Sequence, residues 1–144
     1  VVAIIAILAA IAIPAYNNYI SEARMAKVTD HYDGAFRSAK AELAKLAAIM
    51  ARDSTIDPTG TGPVGPFSDV TDADEWIDLV FNPEENTAPG GGNAYLASGA
   101  DPDTGAIGVT VGGSSIATLT VKVVRPNYLE MAGDKSLSVD MTQL

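Results

Sequence analysis

Cysteine is absent from the 144 residues, histidine occurs once, and aromatic side chains make up only 6%. No cysteine means no disulfide scaffold, no thiolate zinc centre and no thiol nucleophile. The compartment stays open, because an exported protein need not carry disulfides. Positive charge is scarce too: 9 lysines and arginines stand against 18 aspartates and glutamates, a formal charge of −9. Phosphate neutralisation needs clustered Lys and Arg, so nucleic acid is not an expected partner. The length suits one domain and is too short for two independent ones.

What is abundant is aliphatic. Hydrophobic residues make up 47%, and they are densest at the start, where Val1 to Ile13 hold no polar side chain and the first charge is Glu22. As a helix these residues span roughly 20 Å, against about 30 Å for a bilayer's hydrocarbon core, so alone they are too short to cross it. A secretory signal has an apolar stretch of similar length, but its basic start and small-residue cut site are not beside this one. Pro14 offers no N–H to the carbonyl of Ala10, and its ring disfavours helix at Ile13. A kink or loosening is expected between Ala10 and Tyr16, either a plain bend or a point that unwinds on assembly.

From Ser21 to Arg52 there is no proline and one glycine, Gly34. Apolar side chains recur at Met25, Val28, Tyr32, Phe36, Ala39, Leu43, Leu46 and Met50, in steps of three and four that make one helical stripe. Joined to the start, the helix would run roughly 80 Å, whereas a domain of this size is about 30 Å across. Its N-terminal part must therefore protrude. The expected division is a protruding hydrophobic helix, 1–24, and a head, 25–144, that includes the amphipathic half of the helix. A protruding helix that is apolar all round must sit in lipid or among copies of itself. The residues expected to carry that assembly are Val2, Ile5, Leu8, Ala9, Ile13, Pro14 and Tyr16. They would act by apolar packing, while Ala6, Ala9, Ala10 and Ala12 allow close helix approach.

Charge divides the chain at Asp53. Up to Asp53 there are six basic and five acidic residues; the remainder holds three basic and thirteen acidic. The head is acidic and the stem nearly neutral.

Within the head, 53–72 is rich in Pro and Gly and reads as an exposed linker. Thr71 to Phe81 reads as a short helix capped by Thr71 or Asp72, with Trp76, Leu79 and Val80 inward. Apolar residues then alternate with others at 107–111, 119–123 and 137–141, the period of half-buried strands, and Gly112-Gly113-Ser114-Ser115 suggests a short hairpin loop. The fold class expected is α+β: a long N-terminal helix on a three- or four-stranded antiparallel sheet spanning 105–142.

Candidate chemistry is thin. His31 has Asp30 and Asp33 beside it but no serine at triad spacing, and reads as a helix-surface residue. Asp101-Pro102-Asp103-Thr104-Gly105 alternates carboxylates before a glycine, a weak calcium pattern at Asp101 and Asp103 that lacks the closing glutamate. Gly90-Gly91-Gly92 lacks the Lys and Ser of a phosphate loop. No cofactor, no catalytic constellation and no enzyme activity are expected.

The stretch from Val1 through Pro14 to Tyr16-Asn17-Asn18-Tyr19 resembles the N-terminal helix of type IV pilins, densely to about Met25 and loosely to Arg52. The resemblance implies a leader cut by a prepilin peptidase, N-terminal methylation, and a mature start of the type Phe-Thr-Leu-Ile-Glu-Leu-Met-Ile ahead of Val1. Those eight residues added to thirteen give roughly 21, about 31 Å, which spans a bilayer. It also implies an inner-membrane pool handled by pilus assembly machinery, then an extracellular filament of identical subunits. Motility, adhesion and DNA uptake are the roles such fibres serve. Many pilins close a C-terminal loop with a disulfide; here 127–144 must be held by strand pairing and burial, or by an ion. The alternatives are a type II secretion pseudopilin, whose head often binds calcium, and a minor pilin or adhesin.

Overall fold

The computed structural model describes residues 1–144. Helix α1, Val2–Arg52, runs without interruption through Pro14. It is followed by one helical turn, α2 (Ala73–Trp76), which passes directly into a π-helical turn, Ile77–Phe81. The strands are β1 (Tyr95–Leu96), β2 (Ile107–Gly112), β3 (Thr120–Arg125) and β4 (Lys135–Asp140), in the spatial order β1-β2-β3-β4. The fold is α+β, with one face of the sheet laid across the second half of α1.

Burial explains that placement. The helix buries Val28, Tyr32, Ala35, Ala39, Leu43 and Leu46. Ala35 and Ala39, one turn apart, bring its backbone close to the sheet. The stripe turns slightly relative to the expected one: Met25, Phe36 and Met50 are only half-buried, and Ala35 takes the inward position beside Phe36. Across the sheet, Val109, Val123 and Leu137 form one inward row and Val111, Val121 and Val139 the next, while Thr110, Lys122 and Ser138 face out. The two-residue period read from the sequence is the register observed.

The sheet is not wholly antiparallel. β1 pairs with β2 in parallel, through Tyr95 with Ile107 and Leu96 with Gly108. A parallel neighbour normally needs a long crossover. Here the chain returns within 97–106 because Gly108 leaves room: a Cβ there would lie 2.4 Å from the Ala100 nitrogen. Nothing in the alternation of β2 announces a two-residue partner.

Three further expectations are modified. The linker is mostly exposed as expected but is also anchored, since Val64, Phe67 and Val70 are buried, and the Trp76 indole N–H donates to the Val70 carbonyl at 2.8 Å. Gly60 and Pro58 also accept backbone hydrogen bonds from Ile116 and Ala117, tying the linker to the β2–β3 loop. That loop is correspondingly long and contains a 3-10 turn, Ile116–Thr118, whose Ile116 plugs the core. In the short helix, Asp72 is the cap and Trp76 is buried, but Leu79 is 45% exposed and Val80 half-buried. The π-helical turn changes the angular step, so Ile77 and Phe81 face inward in their place.

The C-terminal segment is closed without a disulfide. β4 pairs along β3, the Met141 N–H donates to the Leu119 carbonyl at 2.9 Å, and the Asn127 N–H donates to the Asp134 carboxylate at 2.8 Å.

Candidate assembly surface

None of the first nineteen residues is buried by the head, although Asn18 lines a cavity together with Glu130. Each is exposed, and the large apolar side chains among them, from Val1 to Tyr19, are 60–95% accessible. Burial begins with half-buried Ile20 and Ser21. By length and composition, α1 carries near its N-terminus a stretch long and apolar enough to cross a membrane, none of it buried. The stretch reaches past Ile13 because Pro14 to Tyr19 add no charge.

A helix advances about 100° per residue, which sorts these side chains into faces. Val2, Ile5, Ala9, Ile13 and Tyr16 follow one another at helical spacing on one face. Leu8 lies on its flank, and Pro14 lies on the opposite face with Ile4, Ile7 and Ile11. Five of the seven expected assembly residues are thus brought together and two are not. Ala3, Ala6 and Ala10 form a third, narrow strip of small side chains.

Apolar residues on every side exclude a simple paired coiled coil, which would cover one face and leave the other wet. A helix apolar all round is satisfied by surroundings that enclose it, as lipid or several neighbouring helices do. Tyr19, 70% exposed, belongs to the same surface; the Tyr-x-x-Tyr pattern was the signal that could have included it.

Above the apolar stretch the stem carries cations without partners. The one ion pair in the chain joins Lys45 to Glu42 at 2.7 Å. Arg24, Lys27, Lys40 and Arg52 make no intramolecular salt bridge, nor does any acidic residue other than Glu42. Five carboxyls are held below the usual carboxylate range chiefly by hydrogen bonds from hydroxyls or backbone N–H groups: those of Asp53, Asp57, Asp69 and Asp101 from their own turns, and that of Glu75 from Ser68 and Asp69 of the linker.

Asp101 illustrates what those carboxyls do. Its Oδ1 accepts from the Asp103 N–H and its Oδ2 from the Thr104 hydroxyl, both at 2.9 Å. The turn ends at Gly105, where φ is +79° and a Cβ would press within 2.8 Å of Val28. Asp101 therefore shapes a turn packed on the helix, and no group of three or more His, Asp or Glu side chains is placed to hold a metal ion. His31 also differs from a plain surface residue. It is half-buried with its ring 5.7 Å from that of Tyr95, and desolvation, followed by the nearby Lys27, lowers its pKa despite Asp30.

A polar cavity of about 300 Å³ is lined by Ile77, Asp78, Asn82, Glu85 and Asn93. Its buried Asn82 side chain is engaged at both ends with the Asn86 backbone, at 2.6 and 3.1 Å. That arrangement fixes a loop and offers no nucleophile.

No protein-family model, curated protein or solved structure matches this chain.

Proposed function

We propose that this chain is the structural subunit of a type IV pilus, polymerising through its N-terminal helix into an extracellular filament. The observation that carries the reading is the contrast within α1. Val28 to Leu46 bury a complete stripe against the sheet, whereas Val1 to Tyr19 are bare on every side. A helix that is finished at one end and uncovered at the other needs surroundings its own chain does not provide. Before assembly those surroundings are the inner membrane; afterwards they are the helices of identical subunits. The resemblance of Val1–Tyr19 to type IV pilins gives this requirement its most specific solution.

Charge adds support. The head's acidic excess and the unpaired Arg24, Lys27 and Lys40 of the stem offer complementary surfaces to neighbouring copies. Prepilin peptidase and pilus assembly machinery are the partners this reading implies, and it assigns the chain no catalytic role. A pseudopilin would draw on the same helix, but Asp101, the calcium candidate, is already engaged by its own turn.

Electron microscopy of fibres sheared from cells expressing the full gene tests the reading. Long uniform filaments with this chain as their main protein are expected. A chain confined to the membrane fraction, without filaments, would overturn the major-subunit assignment in favour of a pseudopilin or minor subunit.

A further inference from the structure

Leu129 sits in an unusual place. It is the first corner of a tight turn closed by the Met131 N–H donating to the Tyr128 carbonyl at 3.1 Å, and its φ is +52°. A corner of that kind is normally filled by glycine or asparagine, because a Cβ is strained there. Here it carries a leucine whose side chain is 47% exposed. Strain and apolar exposure together are unfavourable in water.

The position of the turn suggests what would offset them. Tyr128 is buried beside Gly105, close to Val28 of the helix. Two residues on, Glu130 lines a cavity of about 380 Å³ with Asn18, Ser21, Glu22 and Met25. The turn therefore descends along α1 towards the bare stem, to the level of Tyr16 and Tyr19. With Ile13 at the edge of the hydrocarbon, Tyr16 and Tyr19 stand about 4.5 and 9 Å above it. A headgroup layer is about 5–8 Å thick, and it is where tyrosines anchor membrane helices.

We infer that the Tyr128–Met131 turn is a second membrane contact of the unassembled subunit, with Leu129 inserted at the headgroup boundary at the depth of Tyr16 and Tyr19, on the other side of the helix from Tyr16. The occupant is a lipid surface. This rests on the reading of the N-terminal helix as membrane-inserted before assembly, and adds to it that the head is held against the bilayer by its own turn. The contact is released when the helix leaves the membrane for the filament, which makes it a brake on extraction as well as an orienting foot.

The absence of cysteine makes the test direct. Single substitutions Leu129→Cys, Ile7→Cys and Leu144→Cys in the full-length chain each take one environment-sensitive fluorophore. Leu144 is a matched control: it is also 47% exposed, but lies beside Phe36 and Lys40, about 27 Å further along the helix than Asn18. In phosphatidylcholine–phosphatidylglycerol vesicles, the residue-129 label should shift to the blue and be quenched several-fold more than the residue-144 label by headgroup spin labels. The residue-7 label should be quenched by acyl-chain spin labels. A residue-129 label that stays as aqueous as the residue-144 label, while residue 7 is in the bilayer, overturns the foot and leaves the inserted helix standing. An aqueous residue-7 label overturns both. Shielding of residue 129 only in assembled filaments assigns the surface to a second copy and overturns the lipid contact. Glu130→Cys repeats the reading at the next position of the same turn, should Leu129→Cys fold poorly.

Discussion

Burial of the Tyr95 side chain, whose hydroxyl donates to the His31 carbonyl at 3.1 Å, pushes its pKa up to about 12. An unfolded chain ionises tyrosine near pH 10, so the folded state binds this proton more tightly. The resulting stability is fully present below about pH 10 and is lost as pH rises towards 12; burial moves Tyr32 in the same direction. Spectrophotometric titration of tyrosinate should show a delayed fraction whose ionisation coincides with unfolding. The acid end has the opposite sign. Carboxyls such as Asp57 and Asp69, depressed by hydrogen bonds from Thr59 and Thr71, stabilise above the ordinary carboxylate range and stop doing so as pH falls below it. Gly108→Ala belongs to this scale too. Its Cβ would meet the Ala100 nitrogen at 2.4 Å, and overpacking of this sort costs about 1–3 kcal/mol, readable as a lower urea midpoint.

At the scale of elements, the proposed function gives the one helix α1 two separable duties. Leu43→Ala removes a side chain with no exposure from the head's core and should cost about 2–5 kcal/mol in urea unfolding. Ile7→Ala touches nothing in the head, so it should shift that midpoint by less than about 0.5 kcal/mol while reducing filament yield. If both variants weakened the head alike, the division would be wrong. That division was legible in the sequence because periodicity reports burial directly: Val28 to Leu46 recur at helical spacing, whereas Val1 to Ile13 show no polar side at all. Strands β2, β3 and β4 were legible for the same reason at period two. Where the chain departs from a period, the signal goes. The parallel strand β1 is two residues long and is admitted by a missing Cβ at Gly108. Leu79 turns outward because of a π-helical step that no residue type marks. Leu129 lies in an irregular turn where no pattern distinguishes a strained corner from an ordinary loop position. The linker's anchors were hidden for another reason: Pro and Gly rule out a regular element there but do not prevent Val64, Phe67 and Val70 from entering the core, the last two at Trp76.

For the whole molecule, the charge division would become a property of the proposed filament. Thirteen acidic and three basic residues beyond Asp53 give the head a strong negative field, and the stem's basic residues are largely unpaired within the chain. Attraction between copies that draws on exposed charges is screened by salt over roughly 10 Å at 0.1 M, while apolar helix packing is not weakened by it. Raising ionic strength should therefore loosen contacts between heads without dissolving filaments, measurable as unchanged pelletable protein with increased susceptibility of the heads to protease. The most direct test of the central claim is the accessibility of single cysteines in intact sheared filaments. A membrane-impermeant maleimide should label Glu84→Cys, which is exposed on the head, and should reach Ile7→Cys only after the filaments are denatured. Equal labelling of both in intact filaments would contradict the account, because the bare helix would then not be what holds the fibre together.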